Sequence, residues 1–270
     1  MGTAVAALWN WLPSEKEIKG CMTTKMYHVE LCPGSKNYVP LNKISQNLQK
    51  AIVLTEDSTF FTHNGFDWGS IEKNAREGWE SGSFKKGGST ITQQLAKNMF
   101  LTGDRTFIRK GVEAIITDRI ENTLSKKEIL ERYLNVVEFG KNIFGVKDAA
   151  KYYFKKTPAE LSVVESAFLA LVLPNPVKYS MSYYKKELTP FAKKRLTQII
   201  ENMFRYHRIT AEEYEQAIQQ ATWFFQSAPP MPAEIMDSLE TQGEDLGSAP
   251  EQEPEQVDFD VEAEAEEQPQ

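Results

Sequence analysis

The stretch GGSTITQQLAKNMFLTGDRTFIRKGVE, from Gly87 to Glu113, constrains the fold most, because it writes two amphipathic helices joined by a tight turn. Thr90 and Gln93 form a T-x-x-Q capping box, and Ile91, Leu95 and Met99 recur every four residues behind it. That pattern predicts a helix starting near Thr90 that buries the apolar stripe. Gln93 and Lys97 share a different face of it. The glycines ahead of the cap let another molecule approach the backbone, and the free N–H groups of the first turn favour a negative ligand. A second helix is predicted after Thr106, a candidate N-cap preceded by Asp104, with Ile108, Val112, Ile115, Ile116 and Ile120 as its buried face. Arg109 and Glu113 then stand one turn apart on its flank, with Arg105 just before the cap. Gly111, which costs about 1 kcal/mol relative to alanine inside a helix, points to close packing there. Hydroxyl and amide groups beside four cations and a carboxylate make an anion site in prospect. The composition of this stretch equally allows two ordinary helices with solvated charges.

The charge of the whole chain sharpens the choice of partner. All 31 Lys and Arg lie at or before Arg208, whereas 14 of the 38 acids fall between Ser227 and Gln270, so the body carries 31 − 24 = +7 and the tail −14. A basic body favours nucleic acid, an anionic membrane surface or phosphorylated substrates, with solubility alone as the competing explanation. The tail is rich in Pro, Glu, Gln and Ala and lacks Lys and Arg, so it is predicted to be disordered. With 270 residues and 41% hydrophobic content, the body can hold a real core. The expected organisation is an N-terminal anchor or stalk over 1–40, a folded domain over 41–226 and an acidic tail over 227–270. The opening MGTAVAALWNWLP is too short to span a bilayer and lacks a basic n-region. It reads as the end of an anchor or as an interfacial helix with Trp9 and Trp11 at the headgroups. Cys21 and Cys32 flank KMYHVEL, a segment of strand character; their spacing suits no common zinc pattern, and a disulfide or two free thiols both remain open.

Along the body the periodicity is helical nearly throughout, so the expected fold class is mainly α. A helix from Ser45 carries Leu48, Ile52 and Val53 inward and delivers Glu56 and Asp57 to its carboxyl end, where the helix dipole disfavours negative charge and raises a carboxylate's pKa. The aromatic turn FFTHNGFDW follows, and Phe60, Phe61 and Trp68 are expected to desolvate that carboxylate further, toward the range useful for a general base. Ser125 and Glu128 form another capping box before Ile129, Leu130, Tyr133, Leu134 and Val137. A short helix is expected over VKDAAKYYF. A longer one starts at Pro158, runs through Leu161, Val164, Phe168 and Leu169, and stops at Pro174 and Pro176. Two more are expected near Pro190 to Tyr206 and Ala211 to Thr222.

Taken together, EDSTFFTHNG (56–65), GSTITQQLAKN (88–98), RKGVE (109–113) and KEILERYLN (127–135) resemble the successive signatures of the peptidoglycan glycosyltransferases, glycosyltransferase family 51, from about Leu41 to Thr210. The chain is similar to the monofunctional members, without room for a transpeptidase domain. The resemblance implies a lysozyme-like helical large lobe with a smaller membrane-facing jaw, acting at the periplasmic face of the inner membrane. It implies polymerisation of lipid II, an undecaprenyl-diphosphate disaccharide, into β-1,4 glycan strands. It assigns Glu56 as the base, and Lys97, Asn98, Arg105, Arg109 and Lys110 with Ser89, Thr90 and Gln93 as the substrate-binding set. Asp57, Phe60 and His63 would shape the loop around Glu56. For Glu113 it implies either holding the cations together, the favoured role, or binding Mg or Mn at the diphosphate. No other metal site and no organic cofactor is implied. Expected partners are lipid II, the growing strand, the inner-membrane surface and other cell-wall synthases, with no nucleic acid. Two alternatives stay open: a lysozyme-like glycan-cleaving enzyme with Glu56 as general acid, and an inactive lipid II-binding scaffold. The chain departs from the family pattern at Met181, usually proline, and at His207-Arg208, usually a glycine turn.

Overall fold

A computed structural model describes residues 12–81, 88–102, 107–185 and 187–223, so the first eleven residues of the expected anchor or stalk (1–40) and the acidic tail lie outside the described residues. The fold is mainly α, as the periodicity predicts. Its helices are α1 (Glu15–Lys19), α2 (Gln46–Glu56), α3 (Trp68–Ser81), α4 (Ile91–Phe100), α5 (Phe107–Thr123), α6 (Lys126–Val136), α7 (Gly145–Ala149), α8 (Val163–Val172), α9 (Pro176–Tyr184), α10 (Pro190–Arg205) and α11 (Ala211–Trp223). Among the described residues, sheet is limited to two antiparallel hairpins, β1 (Met22–Thr23) with β2 (Glu30–Leu31) and β3 (Glu138–Gly140) with β4 (Ile143–Phe144). No described helix is long and apolar enough to cross a membrane.

The core forms around α8, buried along all ten of its residues, against which α2, α9, α10 and α11 pack. A second packed group joins α4 to α5 and α6. Capping decides where several of these helices begin. Thr90 and Gln93 close the box ahead of α4, and Ser125 and Glu128 close the one ahead of α6. On α2, Leu48, Ala51 and Ile52 are fully buried.

The structure corrects several sequence expectations. The predicted single helix through TPAE divides into a 3₁₀ turn, Pro158–Glu160, and α8, because Ser162 and Glu165 make a capping box of their own. Pro176 starts α9 instead of ending its predecessor; its fixed backbone suits the first helical position, and Asn175 accepts from the Lys178 N–H at 3.2 Å. The helix α3 is not among the expected elements, although Trp68, Ile71, Ala75 and Trp79 recur along it at helical spacing; it is started by Asp67, which accepts from the Ser70 N–H at 2.9 Å. On α5, Val112, Ile116 and Ile120 face the core, but Ile108 is 80% exposed and Ile115 is exposed as well. A Cβ added at Gly111 would meet nothing within 4 Å, so no close packing explains that glycine. His207 takes a left-handed backbone, φ 52°, at the turn where the family pattern has glycine.

Of KMYHVEL only Glu30 and Leu31 pair as strand, and Cys21 and Cys32 form a disulfide that closes this hairpin. The hairpin is held to the end of α4 by the Lys25 N–H donating to Met99 O at 2.9 Å.

Candidate active site

Glu56 is the last residue of α2, and Asp57 caps the helix. The two neighbours do different work. The Glu56 carboxylate accepts from Gln94 Nε2 at 2.9 Å, and the same amide is fixed from behind by the buried Tyr133 hydroxyl, which donates to Gln94 Oε1 at 3.0 Å. The ionised carboxylate only accepts, so it fixes the NH2 end of the amide toward itself and leaves Oε1 to accept from the tyrosine. Burial pushes the Glu56 carboxyl above the usual carboxylate range and the adjacent Asp57 adds to this, while Gln94, Arg195 and Lys97 pull it back.

Asp57 is buried and turned toward structure. Its Oδ1 lies 2.8 Å from His63 Nε2, and its Oδ2 accepts from the Ile91 N–H at 2.9 Å, tying the loop after α2 to the first residue of α4. Burial raises the Asp57 carboxyl, and His63 and the Ile91 N–H oppose that. Phe60 is fully buried beneath Lys126, whose ammonium lies 4.6 Å from the ring centroid. Phe61 and Trp68, 55% and 70% exposed, do not cover Glu56 as expected. Gln94, Tyr133 and Arg195 surround the carboxylate in their place.

The basic residues gather on α4 and α5. Glu113 is only 2% exposed and pairs with Lys110 and, at 3.4 Å, with Arg109. Lys97 sits in the field of both groups: burial lowers its pKa, Glu113 and Glu56 raise it, and Arg109 and Lys110 lower it. Lys97 thereby lies within electrostatic reach of both the carboxylate of α2 and the charged groups of α5. Because both Glu113 oxygens already face cations, the surroundings of this carboxylate do not fit a divalent ion.

The remaining predicted site residues divide. Ser89 is exposed, and its hydroxyl accepts from Lys110 Nζ at 3.5 Å. Thr90 and Gln93 are buried in their capping box, and the Thr90 hydroxyl donates to Gly65 O at 2.7 Å, so both hold the backbone. Asn98 is buried with its side-chain oxygen unbonded. Arg105 lies outside the described residues. Two participants were not foreseen. Gln94 follows the singled-out Gln93 and stands about 100° further round the helix, a distinction that helical phase carries. Arg195 comes from α10 and becomes a neighbour of Glu56 only through packing of α10 on α2.

A partly buried carboxylate that holds its proton more tightly than usual, facing fixed cations, is equipment for proton abstraction coupled to departure of an anion. The chain belongs to the transglycosylase family, whose model matches residues 24–204. It is 49% identical over 142 residues to the biosynthetic peptidoglycan transglycosylase of Herminiimonas arsenicoxydans, covering 53% of this chain and 62% of that protein. Against the protein of the same name from Dechloromonas aromatica it is 42% identical over 174 residues, 64% of this chain and 75% of the relative. The first relative is thus spanned over 62% of its length. Penicillin-binding protein 1A from Haemophilus influenzae aligns with 57% of this chain and 20% of its own at 22% identity, but its TM-score of 0.32 is too low to bear on the fold.

Proposed function

We propose that this chain polymerises lipid II into β-1,4 glycan strands at the periplasmic face of the inner membrane. Glu56 takes the proton from the acceptor sugar's 4-hydroxyl as that oxygen attacks the anomeric carbon of the donor. The undecaprenyl diphosphate leaves from the opposite face with inversion. Lys97, Arg109 and Lys110 stabilise the charge on the departing diphosphate, and Glu113 holds these cations in position. The carrying observation is that α4, which holds the proposed base through Gln94, packs on α5, where Glu113 gathers Arg109 and Lys110 into a cation cluster. The same observation weighs against glycan cleavage, where no diphosphate leaves and a cation cluster has nothing to stabilise.

Incubation of purified protein with lipid II, followed by electrophoresis of the glycan, tests the reading directly. Glu56→Gln is expected to abolish polymer while lipid II binding stays within a few-fold, because the amide keeps the shape and loses the base. Arg109→Ala is expected to weaken both binding and polymerisation. Near-full activity of Glu56→Gln would remove the base from the mechanism.

A further inference from the structure

The proposed transfer leaves one feature beside Glu56 unused. Phe191, in the first turn of α10, is 44% exposed and stacks on Tyr179 of α9 with ring centroids 5.6 Å apart and 28° between the planes. Exposed stacked pairs are ordinary in themselves; Phe204 and Tyr214 make another. The position of Arg195 sets this pair apart. It lies four residues beyond Phe191 on the same helical face, is partly buried, and is within electrostatic reach of both the Glu56 carboxylate and the Tyr179 phenol. The helix that carries Phe191 and Arg195 packs on α2, which ends at Glu56, so the pair stands on an element bordering the site.

We propose that Tyr179 and Phe191 form a sugar platform that holds the β-1,4-linked amino-sugar strand as it passes the reacting centre; this rests on the polymerase reading. A pyranose ring has an apolar C–H face that lies flat on an aromatic surface, with hydroxyl and acetamido groups around its edge. Phe191 offers its outer face, backed by the Tyr179 ring stacked on it, while the Tyr179 hydroxyl and Arg195, one turn along α10, supply polar groups on the same two helices. Such polar groups suit a sugar better than the isoprenoid tail of the lipid.

The probe is chitotetraose, a soluble β-1,4 oligomer of N-acetylglucosamine, titrated against the full chain by ligand-observed NMR without lipid II. The wild type is expected to bind. Phe191→Ala should weaken binding by about fivefold, the loss of one ring's stacking. Phe191→Trp should retain it, and Phe204→Ala should leave it unchanged. The platform is overturned if the wild type does not bind, if Phe191→Ala binds equally well, or if Phe204→Ala loses as much. It also falls if Phe191→Ala releases the protein from phosphatidylglycerol vesicles while chitotetraose binding persists, since the rings would then be a lipid contact. A protein that binds the sugar through Phe191 yet makes no polymer from lipid II keeps the platform and overturns the polymerase reading.

Discussion

At the scale of single residues, the chemistry turns on how strongly Glu56 holds its proton. Burial and Asp57 raise its affinity for the proton, while Gln94, Arg195 and Lys97 favour the charged form. A general base must be ionised to act, so activity is expected to fall as pH drops through a pKa lying above the ordinary carboxylate range. Arg195→Gln removes a charge that favours ionisation. The folded pKa of Glu56 then rises further, and the acid limb of kcat/KM for lipid II moves to higher pH. Gln94→Leu should move it the same way by deleting the hydrogen bond at 2.9 Å. The pH profile of each variant distinguishes this from simple damage. A uniform drop at every pH, with the limb unmoved, would mean that these side chains do not tune Glu56.

At the scale of elements, α5 and the turn at Gly65 make opposite predictions for the same substitution. Gly111→Ala should stabilise the protein by about 0.5–1 kcal/mol, because alanine is the better helix former and the added methyl meets nothing within 4 Å. Gly65→Ala should destabilise by about 1–3 kcal/mol, since the backbone sits at φ +83° and the new Cβ would lie 2.8 Å from Thr117 Cγ2. Urea denaturation midpoints of the two variants should move in opposite directions. A loss of stability in Gly111→Ala would show a contact on that face of α5. These elements also show what the sequence made legible. Capping is local chemistry, so the starts of α4 and α6 could be located from Thr90–Gln93 and Ser125–Glu128 before any packing was known. The inner face of α5 was not, because isoleucines stand on more than one side and packing against α4 selects among them. The site follows the same division. Glu56, Lys97, Arg109 and Glu113 stand in short motifs whose helical phase brings them inward. Arg195 is contributed by a distant helix, and nothing near it in sequence marks it as a neighbour of Glu56.

At the scale of the molecule, the N-terminal segment works as a strap across the helices that carry the cations. Arg119 Nη1 donates to Pro13 O at 3.1 Å, and Arg132 Nη2 to Lys19 O at 2.6 Å, holding the start of the described chain to α5 and α6. Further on, the Met26 N–H donates to Asn98 O at 3.4 Å, next to Lys97 on α4. The Cys21–Cys32 disulfide closes the hairpin that carries this last attachment, and such a bond is kept in an oxidising compartment, in keeping with the periplasmic site proposed above. Closing so short a loop removes unfolded-state entropy worth about 2–3 kcal/mol. Replacing both cysteines by serine should therefore lower Tm and weaken lipid II binding together, because the strap and the end of α4 are hydrogen-bonded to one another. Dithiothreitol should lower the wild-type Tm toward that of the double variant and leave the double variant unchanged. If the double variant melts earlier but binds lipid II as the wild type does, the strap stabilises the fold without positioning Lys97, and the cation cluster is held by α4, α5 and Glu113 alone.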